Sequence, residues 1–151
     1  MGAKIANPDT PVVGFAGDGA FGISMNEMVA IGRKEWPAIT MVVLRNYQWG
    51  AEKRNTTLWY SDNFVGTELN DDVTYAGIAQ ACGLKGVQAK TMEELTAALT
   101  EALKDQKAGR TTFIEALINQ ELGEPFRRDA MKKPVEVAGI DPADMRPQKG
   151  A

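Results

Sequence analysis

An α/β fold is predicted for this chain of 151 residues: a doubly wound, mainly parallel sheet with helices on both faces, and an extended C-terminal tail. Three observations predict it. Short, predominantly apolar runs occur at 11–16, 38–44 and 112–118, the pattern of strands buried on both faces. Helix-start signals of the form Ser/Thr-x-x-Glu fall between those runs, at Ser24 and Thr91. The first two runs and the stretch between them make a unit of about 35 residues, the size of a strand–helix–strand crossover.

Taken in order, residues 2–6 read as the last turn of a helix, with Asn7 in the left-handed position behind it and Pro8 as the stop. One turn has little reason to stand alone, so the chain is expected to begin inside a helix. Residues 11–16 form the first strand, and Gly17-Asp18-Gly19 the turn after it. Ser24-Met25-Asn26-Glu27 reads as a capping box that opens a helix to about residue 35. Met25, Met28, Val29 and Gly32 would line its inner face. Residues 38–44 are the second strand. From 45 to 72 the periodicity fails, and so long an irregular connection tends to be functional or mobile. Asp72 or Thr74 opens another helix, which Gly83 ends. A short strand at 85–89 follows. The capping box Thr91-Met92-Glu93-Glu94 then starts a helix with Met92, Leu95, Leu99, Ala102 and Leu103 on one face. Gly109 closes that helix, and 112–118 is the last strand. Residues 1–122 therefore read as one domain. Residues 123–151, punctuated by Pro125, Pro134, Pro142 and Pro147, read as an extended tail able to wrap a neighbour.

Composition excludes several functions. The chain has no His, which removes Ser-His-Asp and Cys-His machinery and His-ligated zinc. The single Cys82 can form neither an internal disulfide nor a Cys cluster, which suits a reducing cytoplasm. Lys and Arg number 17 against 20 Asp and Glu, a net charge of −3, so no basic field draws nucleic acid or an anionic membrane. No apolar run reaches the roughly 18–20 residues of a membrane span.

The informative pattern is Gly17-Asp18-Gly19-Ala20-Phe21-Gly22, followed 28 residues after Asp18 by Asn46 in Asn46-Tyr47-Gln48-Trp49-Gly50. Both segments sit at the carboxyl ends of strands expected to be neighbours, where open α/β sheets bind ligands. The glycines let backbone N–H groups approach a phosphate, and a helix starting near Ser24 would point its positive end there. Asp18 offers an anionic oxygen, Asn46 an amide oxygen, and a loop carbonyl could add a third. Hard oxygens beside a diphosphate are what Mg2+ prefers.

This arrangement resembles the diphosphate-binding motif of the thiamine diphosphate-dependent enzymes, in which Gly-Asp-Gly is followed one crossover later by Asn, often as a pair. Arg45 stands where the first Asn of such a pair would be. The resemblance implies the thiamine diphosphate-binding fold, with thiamine diphosphate and Mg2+ as cofactors. It implies Asp18, Asn46 and the Gln48 carbonyl as metal ligands. The implied cofactor contacts are Gly17, Asp18, Gly19, Ala20, Phe21, Asn46, Gln48, Trp49 and Gly50, with no catalytic side chain among them. The segments GDGAFGISMNEM, LRNYQWGAEKRNTTLWY and EPFRRDAMKKPVEV are similar to the C-terminal part of the sulfoacetaldehyde acetyltransferases, relatives of the acetolactate synthases. Sulfoacetaldehyde and phosphate are then the implied substrates, acetyl phosphate and sulfite the products. Such enzymes need a pyrimidine-binding domain with an activating Glu, from the same or a neighbouring subunit, and a central domain. The chain is accordingly expected to be an N-terminally truncated diphosphate-binding domain, inactive alone and part of a homo-oligomer when complete. An acetolactate synthase, a 2-oxo acid decarboxylase or a non-catalytic α/β module are the alternatives.

Several residues carry two readings. Ser24 is an N-cap rather than a cofactor contact. Trp49, Trp59 and Tyr60 either pack the 45–72 connection or line a pocket. Arg45, Lys53 and Arg54 either meet a sulfonate or phosphate or are solvated. Arg127, Arg128, Lys132 and Lys133 read as solvated or intersubunit charges, and Cys82 as a small buried hydrophobe.

Overall fold

The computed structural model describes residues 1–59 and 63–120. Readings that fall on 60–62 or on the tail, Tyr60 and Arg127 among them, lie outside the described residues. Strands β1 (Val13–Gly17), β2 (Thr40–Arg45), β3 (Lys85–Ala89) and β4 (Thr112–Leu117) pair in parallel in the order β1-β2-β4-β3. The helices are α1 (Gly2–Ala6), α2 (Asp18–Ser24), α3 (Glu27–Ile31), α4 (Gly50–Trp59), α5 (Tyr75–Ala81) and α6 (Met92–Lys107). The chain divides into two compact units. One holds 1–48 and 69–120, with the whole sheet; among its described residues the other holds 49–59 and 63–68, with α4.

The sheet is doubly wound, as expected. Alternate residues of a strand point to opposite faces, so each strand feeds two cores. On one face Val43 and Phe113 pack with Phe21 of α2, Met28 of α3 and Tyr75 and Ala79 of α5. On the other, Val42, Ile114, Ala116 and Ala89 pack with Ala102, Leu95, Ala98 and Leu99 of α6. Cys82 packs half-buried against the first of these cores.

The two Thr caps form. Thr74 accepts from the Gly77 N–H and Thr91 from the Glu94 N–H, and the Glu94 carboxylate reaches back to the Lys90 N–H. Gly83 and Gly109 take φ of +83° and +75° behind their helices, conformations in which a side chain would be strained.

Five expectations are corrected. The helix after β1 begins at Asp18, not near Ser24, and Ser24 is the last residue of α2. Asn26, not Ser24, precedes α3, and no side chain caps it. Val29 faces solvent, while Met28 and Met25 hold the inner face. Gly32 lies so near α5 that a Cβ would meet the Cys82 carbonyl at 2.8 Å. In α6, Met92 and Leu103 are exposed, so the packing stripe is Leu95, Ala98, Leu99 and Ala102. Asn7 has φ −135° instead of a left-handed φ and covers the helix end with its side chain, which donates to the Ala3 carbonyl. Finally, the stretch from 45 to 72 contains helix α4, whose sequence GAEKRNTTLW has no apolar stripe at helical spacing.

Candidate functional site

The carboxyl ends of β1 and β2 bring Asp18 and Asn46 together. Gly17 pairs with Leu44 across the two strands, which places the first residue of α2 beside the end of β2. The chain leaving β2 turns sharply. Tyr47 has φ +59°, the single left-handed residue other than glycine among the described ones. That conformation costs about 1 kcal/mol for a residue with a side chain, and such strain gathers at working sites. Its result is a pair of N–H groups aimed at one oxygen: Asn46 N and Tyr47 N donate to Asp18 Oδ2 at 2.8 and 3.2 Å. Leu69 N closes the turn by donating to the Tyr47 carbonyl at 2.8 Å.

Three oxygen-bearing groups converge here. With its amide oxygen turned inward, Asn46 Oδ1 lies 3.0 Å from both Asp18 Oδ2 and the Gln48 carbonyl oxygen. With the amide reversed, Nδ2 donates to both, and Oδ1 accepts from Gln48 Nε2 at 3.2 Å. Without a cation the second orientation is favoured, because three oxygens facing one another repel. A divalent cation would favour the first. Asp18 Oδ1 is also buried without a hydrogen-bond partner, and the Arg45 Nε stands 3.9 Å from it. One carboxylate, one amide and one carbonyl make a donor set that suits a hard cation retaining other ligands of its own, such as phosphate oxygens. Among the described residues no three His, Cys, Asp or Glu side chains cluster as an alternative.

Behind this set lies a charge network that the sequence did not reveal. Arg45, at 1% exposure, pairs with Glu115, at 0%. Glu115 belongs to β4, where its register partner is Val43, so Arg45 two residues along β2 presents its side chain on the same face. Arg45 Nη2 donates to the Asn70 carbonyl at 2.9 Å, and Cζ lies 4.3 Å from the Tyr47 ring and 4.0 Å from the Tyr75 ring. Burial, and then the neighbouring Asp18 carboxylate, push the Tyr75 phenol up to about 12, so the ring beside Arg45 stays neutral. Arg45 is thus neither solvated nor open to an anionic substrate. The available signal was an acidic residue in the middle of TFIEAL: a carboxylate in a strand buried on both faces requires a cation, and Arg45 ends the adjacent strand.

The remaining expected contacts divide. Gly17 and Ala20 are exposed, and a Cβ at Gly17 would meet nothing within 4 Å. Gly19 is half-buried in the first turn of α2. The Phe21 ring is in the core, 4.7 Å from Tyr75 and 5.1 Å from Phe113, which leaves its backbone to meet a ligand. Gln48 is buried, and its amide donates to the Gln120 carbonyl at 2.9 Å. Trp49 and Gly50 open the second unit. Trp49 is half-exposed there, and its N–H donates to the Thr67 carbonyl. In that unit Lys53 pairs with Glu68 and sits 5.2 Å from the Phe64 ring, whereas Arg54 has a buried Nε with no hydrogen-bond partner.

A family model described as "Thiamine pyrophosphate enzyme, C-terminal TPP binding domain" matches residues 1–116. The sulfoacetaldehyde acetyltransferase of Rhodobacter capsulatus is 81% identical over 148 residues, covering 98% of this chain and 25% of that protein. That of Roseovarius nubinhibens is 78% identical over 149 residues, covering 99% and 25%. The chain therefore spans a quarter of the length of these curated relatives. Among solved structures, the benzoylformate decarboxylase from Polynucleobacter necessarius is similar with a TM-score of 0.69 and 26% identity, over 82% of this chain and 22% of that one.

Proposed function

Because the chain belongs to the thiamine pyrophosphate enzymes, as their C-terminal TPP-binding domain, we propose that it holds the diphosphate of thiamine diphosphate through Mg2+ in a sulfoacetaldehyde acetyltransferase. Asp18, Asn46 and the Gln48 carbonyl would be the metal ligands. Gly17, Gly19, Ala20 and the Phe21 backbone would line the diphosphate, with Trp49 and Gly50 as further contacts. One observation carries this reading: turned inward, the Asn46 amide oxygen lies 3.0 Å from both Asp18 Oδ2 and the Gln48 carbonyl oxygen. When bound, the thiazolium of the cofactor supplies the carbon nucleophile for a substrate aldehyde.

The chain's own residues position and do not transfer protons. The N–H groups of Asn46 and Tyr47 fix Asp18 Oδ2, so the carboxylate needs no reorganisation to accept a cation. Burial of Asp18 and Gln48 keeps water from competing for the same oxygens. The domain boundary at residue 122, the oligomer and the pyrimidine-binding partner domain belong to the same proposal, as does conversion of sulfoacetaldehyde and phosphate to acetyl phosphate and sulfite.

Calorimetric titration with thiamine diphosphate, with and without Mg2+, tests it. Binding should require Mg2+ and be lost in Asp18→Ala. Binding that is unchanged by chelator, or that survives in the variant, would overturn the assignment.

A further inference from the structure

We propose that Glu115 is a positioning residue: it holds the Arg45 guanidinium away from Asp18, and so keeps that carboxylate available to a divalent cation. The inference rests on the metal reading of Asp18 given above.

Two buried atoms of opposite charge stand at the outer limit of an ion pair with no hydrogen bond between them. Asp18 Oδ1 and Arg45 Nε are each buried with no hydrogen-bond partner, and they stand 3.9 Å apart. Unrestrained, such a pair closes to a charge-assisted hydrogen bond of about 2.7–2.9 Å. Here the guanidinium is committed elsewhere. Glu115 Oε1 takes Nη1, the Asn70 carbonyl takes Nη2, and the Tyr47 and Tyr75 rings lie against it. Glu115 is itself fixed, because Oε2 accepts from the Ala76 N–H at 3.1 Å and from Gln88 Nε2 at 3.3 Å.

A buried ion pair is often replaceable by apolar groups without loss of stability, so stability alone is a weak reason for this one. Its geometry has a specific consequence for the site. Asp18 is the only anionic member of the donor set, and a full salt bridge with Arg45 would neutralise it. The Glu115 carboxylate prevents that. It competes for the cation of Arg45 from the side of β4, away from the converging oxygens.

The test is Mn2+ binding to the full chain in the presence of thiamine diphosphate, followed by electron paramagnetic resonance, with thermal melts to confirm folding. Glu115→Gln should weaken Mn2+ binding roughly 10- to 100-fold, the factor set by a new charge-assisted hydrogen bond that the cation must displace. The double variant Arg45→Met/Glu115→Gln has no guanidinium to move and should bind within about threefold of the unsubstituted chain, a non-additive rescue. A structural role alone would leave the double variant as weak as the single one or weaker, and that result overturns the inference. Unchanged binding in folded Glu115→Gln overturns it equally. If the single variant does not fold, the double variant decides: binding within threefold supports the inference, and a loss of tenfold or more rejects it. If the unsubstituted chain binds no Mn2+, or Asp18→Ala binds it as well as the unsubstituted chain does, the reading of the site falls and this inference with it.

Discussion

Replacing Gly86 by Ala should damage the fold and the site together. Gly86 lies in β3 under the first turn of α5, where an added Cβ would come within 2.1 Å of the Ala76 carbonyl oxygen and 2.9 Å of its carbon. Both are backbone atoms, so no rotamer change relieves the clash. The gap must open by roughly 1 Å to reach ordinary contact. Moving α5 by that amount stretches the hydrogen bond from Ala76 N to Glu115 Oε2, now 3.1 Å, beyond bonding range. Overpacking of this kind costs about 1–3 kcal/mol, and a buried bond to a charged group about 1.5–3 kcal/mol. The expected loss is therefore about 3–5 kcal/mol, read as a fall in urea midpoint at unchanged slope. A loss below about 1 kcal/mol would mean instead that β3 and α5 separate freely and that the close approach at Gly86 is not a constraint.

Two further outcomes follow from the same structure. Burial would push the Asp105 carboxyl up, but hydrogen bonds from Lys85, Arg110 and Thr112 outweigh burial and hold it at about 2. A carboxyl depressed in the folded state adds stability above its unfolded value, and loses it as pH falls from about 4 to about 2. The half-exposed Lys85 and Arg110 partners screen the effect, which leaves about 1 kcal/mol; Asp105→Asn should flatten the acid limb of the stability curve by that amount, and an unaltered limb would contradict it. The chain alone should form no acetyl phosphate from sulfoacetaldehyde and phosphate with cofactor and Mg2+ present, since its site offers positioning without an acid–base residue; production above a no-protein control would contradict this.

Much of this fold is legible in the residues because local signals and global pattern agree. Strands β1, β2 and β4 were readable as predominantly apolar runs, α5 and α6 from their Thr caps, and their ends from Gly83 and Gly109. Asp18 and Asn46 were readable because a crossover of that length puts its two strand ends side by side. What escaped has physical reasons. Ser24-x-x-Glu27 matches a capping box, yet the helix nucleates earlier at Asp18, and Ser24 is already inside it. Helix α4 lacks the apolar stripe that periodicity detects. The Arg45–Glu115 pair joins neighbouring strands 70 residues apart in sequence, and only the register of β2 against β4 reveals that a terminal Arg can satisfy a central Glu. The left-handed turn at Tyr47 is carried by a residue that gives no hint of it, since such turns usually fall on glycine or asparagine.

A single metal site formed by Asp18, Asn46 and the Gln48 carbonyl would be visible in a crystal structure of the chain grown with Mn2+ and thiamine diphosphate, with diffraction collected at the manganese absorption edge. One anomalous peak is expected, bonded to an Asp18 carboxylate oxygen, Asn46 Oδ1 and the Gln48 carbonyl, with the Asn46 amide oxygen turned inward. A manganese peak elsewhere on the chain, with the Asn46 amide still donating to Asp18 and Gln48, would contradict it.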